Sequence, residues 1–127
     1  MSDIVHIERH AHPLNDYRIR ERRFLEAWKQ GVLIAGESYF NITAPSVAEA
    51  TDKNQLRPDW NHIDAHIGYL SRGEAAFLAA LYSFFNSVDG QRLLEGVDFP
   101  NICDLASKLD PDRAEVIAEL LMTYPGW

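Results

Sequence analysis

Cysteine is nearly missing: Cys103 stands alone among 127 residues. That excludes a disulfide framework and a cysteine-based zinc finger. Long apolar runs are missing too. The longest mainly apolar stretch, Ala75 to Phe85, is eleven residues, well short of the ~20 a membrane-spanning helix needs. Met1-Ser2-Asp3-Ile4-Val5-His6 lacks the basic-then-apolar pattern of a signal peptide. The cytoplasm is therefore the expected compartment, where the triplet Asn41-Ile42-Thr43 has no meaning as a glycosylation site. The sequence also lacks Gly-x-x-x-x-Gly-Lys, Gly-x-Gly-x-x-Gly, Gly-x-Ser-x-Gly and His-Glu-x-x-His, which excludes the common motif-bearing enzymes.

No stretch alternates apolar and polar residues in strand fashion, and no Asn-Gly turn joins two β-branched runs. Repeats, low-complexity tracts and linkers are absent as well. A chain of this length is expected to form one domain over residues 1–127, since ~100–150 residues usually make one core. Residues 1–14 are expected to be a solvated, partly mobile N-terminal segment.

Apolar periodicity predicts helices. Phe24, Trp28, Val32, Ala35, Tyr39 and Ile42 step by three or four, the period of one helix face. They predict one long helix from Asp16 to about Phe40, with Asn15 as N-cap and Leu14 stapling onto Ile19. Gly31 and Gly36 either weaken it, admit a close neighbour or kink it. A helix that long would span ~40 Å, against a radius of gyration of ~14 Å for a compact chain this size. It would overhang its own domain and invite a second copy.

Pro45-Ser46 is expected to open a short helix through Ala50, and Pro58 to sit in the first turn of a helix bearing Trp60, Ile63, Ile67 and Leu70. Ser71 and Glu74 have capping-box spacing. The helix they start, about 72–88, is apolar on nearly every side and belongs at the centre of a bundle. Asp89-Gly90 is read as its end. Pro100 is expected to open a helix with Ile102, Leu105 and Leu109 inward. Asp110-Pro111-Asp112 should start the last helix, with Ala114, Ile117, Leu121 and Tyr124 as its buried stripe. The predicted fold is all-α: a bundle of five or six helices around the central apolar one.

The net charge is −7, spread as +1 over residues 1–29, −3 over 30–88 and −5 over 89–127. This balance makes nucleic acid an improbable partner, because phosphate binding needs a basic face. The basic candidate is Arg18, Arg20, Arg22 and Arg23, interrupted by Glu21, with an expected helical pair from Arg22 to Glu26. Its plainer reading is a solvated helix face. A faint helix-turn-helix pattern over Ser46–Thr51 and Asn54–Arg57 is interrupted by Pro58.

All five histidines fall in two groups: His6, His10 and His12, then His62 and His66. His62 and His66 are four apart and share a helix face with Asp59 and Tyr69. Two imidazoles and a carboxylate could hold zinc or iron with positions left for water or substrate, with Asp64 or Tyr69 in support. The plainer reading is a row of boundary residues whose rings pack while their polar tips stay wet. Cys103, with Asp104 rather than a cation beside it, reads as a structural thiol.

Trp60, Tyr124 and Trp127 remain as aromatic candidates for contact, with Arg18 and Arg22. Trp127, behind Pro125-Gly126, either tucks back onto the bundle or is offered to a partner. The first expectation is a non-catalytic helical module for contact with a protein partner or a second copy. The second is a metal-dependent protein using Asp59, His62 and His66, and the third a weak nucleic-acid accessory using Arg18 to Arg23.

Overall fold

A computed structural model describes residues 16–127. Helix α1 (Tyr17–Ala35) leads through a short turn into strand β1 (Phe40–Ile42). Strand β2 (Leu56–Pro58) follows, then helices α2 (Trp60–His66), α3 (Arg72–Phe85), α4 (Ser87–Gly96), α5 (Ile102–Lys108) and α6 (Pro111–Thr123). Among the described residues this is the expected helical bundle plus a small two-stranded sheet. His6, His10, His12 and the expected cap at Asn15 lie outside the described residues.

Helix α3 is the centre. Its N-terminus is closed by the predicted capping box: Ser71 Oγ accepts from the Glu74 N–H at 3.2 Å, and Glu74 Oε1 accepts from the Ser71 N–H at 3.1 Å. Every residue from Ala75 to Tyr82 is buried, as a helix without a polar face requires. It stops at Phe85 rather than Val88. Asn86 takes over as the N-cap of α4, its Oδ1 accepting from the Val88 and Asp89 N–H groups. Gly90, expected as a stop, lies buried inside α4, where a Cβ would collide with Ser83. Its missing side chain lets α4 lie directly against α3 at Ser83.

Helix α1 also ends earlier than its apolar period suggests. Gly36 stands at φ +120°, a conformation L side chains rarely adopt, and its N–H closes the helix onto Val32 O at 2.9 Å. The helix therefore spans 19 residues, about 28 Å at the usual rise. The overhang expected from a 40 Å helix, and the argument for a second copy built on it, both fall away. Gly31 admits a neighbour: a Cβ there would meet Leu81 at 3.0 Å and Val116 at 3.5 Å.

The sheet replaces two expected helical features. Strands β1 and β2 pair antiparallel, Phe40 opposite Pro58 and Ile42 opposite Leu56. Pro58 ends β2 instead of opening a helix; α2 begins at Trp60 behind Asp59 as N-cap. Residues 44–49 form bends and a turn, so the helix over Pro45–Ala50 and the helix-turn-helix pattern are both absent. Val47 and Ala50 pin this connection to the core, as does Leu56, whose carbonyl accepts from Trp28 Nε1 at 2.9 Å.

Two stripes are rotated from expectation. Asp110 caps α6 through the Arg113 N–H at 2.9 Å, with Pro111 at the first position, as predicted. The buried face, however, is Val116, Ile117, Leu120 and Thr123. Leu121 and Tyr124 are 59% and 43% exposed, respectively. In α5, Leu105 is buried but Ile102 is 64% exposed.

Candidate interaction surface

Helix α5 has seven residues and α3 has fourteen, so α5 reaches about 10 Å along a neighbour of about 21 Å. It cannot cover an all-apolar helix by itself. At its C-terminal end, where Ser83 and Phe84 are half-buried rather than buried, α3 forms the floor of a groove of about 200 Å³. Ala80, Ser83 and Phe84 come from α3, Leu94 from α4, Ile102 and Leu105 from α5, and Ile117 and Leu121 from α6. No lining residue is charged. Ser83, the polar one, donates its hydroxyl to Ala79 O at 2.9 Å, so it offers no free donor to a ligand. Ile102 and Leu121 stand proud on opposite helices. Tyr124, a sequence candidate, packs on the groove residue Phe84: its hydroxyl donates to Phe84 O at 3.2 Å, and its ring lies 5.7 Å from that of Phe84.

The surroundings are acidic. Residues 89–127 sum to −5, and exposed Glu95 and Asp98 lie on the segment between Leu94 and Ile102. Two of the three basic groups in this third are paired nearby, Arg92 with Asp89 and Arg113 with Asp110.

A larger depression, about 530 Å³, lies between α1 and α6. Its lining carries both signs, Arg22 and Arg23 with Glu26, Asp112, Glu115 and Glu119; Arg23 Nε and Nη2 both bond Glu119 Oε1, at 2.9 and 2.5 Å. The expected Arg22–Glu26 pair does not form; Glu26 pairs with Lys29 at 3.2 Å. The four arginines do not make one basic face. Arg20 is half-buried with its guanidinium 5.6 Å from the Tyr17 ring, Arg23 is held by Glu119, and Arg18 lies 3.9 Å from Asp16. Arg18 and Arg22 share a small depression with Glu21, Asp52 and Lys53, again of mixed sign.

The chain matches no family model, no curated protein and no solved structure.

Of the two readings of Trp127, the first is what the fold shows. It tucks back, its ring 4.8 Å from Trp28, 5.2 Å from Phe85 and 6.1 Å from Phe24. Its Nε1 donates to Asn54 Oδ1 at 3.0 Å. Trp60 is half-buried against Tyr82 at 5.4 Å, on the opposite side of α3 from the groove floor. Asp59 caps α2 through its backbone; burial first, then the charges of Asp89 and Asp59, push the Tyr82 phenol above 10.0. Among the described residues no three His, Cys, Asp or Glu side chains converge closely enough to hold a metal ion. The triad of Asp59, His62 and His66 is therefore not assembled. The two histidines do meet, with ring centroids 4.2 Å apart.

Sequence reasoning missed the groove because it placed Ile102 and Leu121 inward. The signal was present in Leu120-Leu121-Met122: three consecutive apolar residues cannot all face one side of a helix.

Proposed function

We propose that this chain is a non-catalytic interaction module. Its groove between α3, α4, α5 and α6 takes a short apolar helical segment of a partner protein, flanked by basic residues. The observation that carries this reading is the uncharged groove with Ile102 and Leu121 exposed at its rims. Apolar grooves of this kind receive the apolar face of an amphipathic helix. Size favours a short segment over a whole subunit, since a stable interface buries roughly 800 Å² per partner. Charge favours a basic flank, because exposed Glu95 and Asp98 lie between the groove residues Leu94 and Ile102 and complementary charge speeds and orients encounter. Among the described residues no helix is long and apolar enough to cross a membrane. The cytoplasm suits this role, since Cys103 is exposed and unpaired and a reducing compartment keeps such a thiol free.

The test is fluorescence anisotropy with a labelled amphipathic Leu/Lys peptide about four helical turns long and a Leu/Glu peptide of the same pattern. Saturable one-to-one binding of the Leu/Lys peptide is expected, weakened roughly tenfold by Leu121→Asp, the cost of about 1.4 kcal/mol of lost apolar contact. The added carboxylate would strengthen a purely electrostatic attraction, so unchanged or tighter binding by that variant overturns the reading. A wild-type dimer in sedimentation that Leu121→Asp converts to monomer would assign the groove to a second copy instead.

A further inference from the structure

Helix α2 presents His62 and His66 one turn apart, and their rings sit 4.2 Å centroid to centroid at 33°. Two features hold this arrangement. The His62 ring is backed by Tyr39 at 5.1 Å, which limits its rotamers. The His66 Nδ1 lies 2.8 Å from His62 O. A carbonyl only accepts, so Nδ1 carries the proton and Nε2 of His66 keeps its lone pair. This is the outer hydrogen bond that orients ligating histidines in metal sites and raises their basicity. His66 is exposed and His62 half-buried, so an ion can enter from solvent.

We infer that His62 and His66 form a two-imidazole chelate for a divalent transition-metal ion, with zinc the working case. The ion takes Nε2 of His66 and a ring nitrogen of His62, and water fills its remaining positions. Imidazole ligands suit zinc, copper and nickel, whereas calcium and magnesium call for oxygen donors. Two protein ligands leave the ion open to exchange and to a further donor from another molecule. The site is thus a docking point for metal or metal-bridged ligands, and no catalytic role is assigned to it. It is independent of the apolar groove, to which neither histidine contributes.

Asp59 is not required. Ligating imidazoles must be neutral, so protons compete with zinc for these ring nitrogens.

The experiment uses the full chain carrying His6→Ala, His10→Ala and His12→Ala, which leaves His62 and His66 as its two histidines. Zinc chloride is titrated while both imidazole rings are followed by NMR. The proposal expects both to shift together and saturate at one equivalent. The ¹⁵N shifts of the metal-free protein should mark His66 as the Nδ1–H form. His66→Ala, an exposed and structurally mild change, should weaken zinc binding at least tenfold with an unchanged thermal midpoint in the absence of metal. Magnesium chloride should leave both rings unmoved. Independent shifts of the two rings, no saturation, or equal binding by His66→Ala would each overturn the chelate.

Discussion

Trp127 shows how much a single terminal side chain can hold together. It lies edge-on to Trp28 and Phe85 and is fixed by Asn54, so it ties the chain's last residue to α1, α3 and the loop before β2. Removing a large core aromatic costs ~3–5 kcal/mol when fully buried. Trp127 is half-buried, so Trp127→Ala should cost about 2 kcal/mol in urea denaturation, scaled down from that range. Asn54→Ala should cost nearer ~1 kcal/mol, the worth of one hydrogen bond. Equal stability in both variants and wild type would remove Trp127 from the core. The sequence could not choose between packing and presentation here, because the partners of Trp127 lie 42 to 103 residues away. The capping box at Ser71 and Glu74 was legible for the opposite reason: both of its hydrogen bonds span three residues.

At the scale of elements, the caps set the acid response. The Ser71 hydroxyl and N–H hold the Glu74 carboxyl below its ordinary 4.5, and the Arg113 N–H does the same for Asp110 below 3.8. Both folded values are depressed, so the unfolded chain binds more protons in this range. Their stabilisation is complete above about pH 4.5 and drains away as pH falls through the lower folded values. Urea midpoints should therefore decline below that pH. Ser71→Ala should lose about 1 kcal/mol at neutral pH and show a shallower acid decline. An unaltered slope in that variant would mean the cap does not govern it.

Helix α4 offers a paired test of packing against propensity. Alanine is the better helix former by ~1 kcal/mol, and Gly96 has nothing near its missing Cβ. Gly96→Ala should thus raise the thermal midpoint slightly. Gly90→Ala should lower it by several degrees, since overpacking costs ~1–3 kcal/mol, because its Cβ meets the Ser83 backbone. Stabilisation by Gly90→Ala would contradict the close approach of α3 and α4. In sequence, Asp89-Gly90 looked like a stop because local rules see the glycine but not the helix across from it. The sheet escaped notice for a related reason. Its strands are three residues each, too short for alternation to register, and they are separated by a connection of thirteen residues, 43–55.

For the whole molecule, helical class and a central α3 were readable from apolar periodicity, because an element buried on every side declares itself in composition. The groove was not readable. It exists because α5 is half the length of α3 and because α6 is turned so that Leu120, not Leu121, faces inward. Neither relation is local. The exposed Glu95 and Asp98, on the segment between the groove residues Leu94 and Ile102, give that rim a polarity that salt should screen, over a Debye length of ~8 Å at physiological ionic strength. Binding of the Leu/Lys peptide should accordingly weaken, without vanishing, as salt rises. The most direct measurement is a two-dimensional NMR titration of the full chain with that peptide. The account predicts shifts gathered on Ala80, Ser83, Phe84, Leu94, Ile102, Leu105, Ile117 and Leu121, saturating at one equivalent. Shifts centred on Glu115 and Glu119 of the α1–α6 depression, or scattered over every acidic side chain, would contradict it.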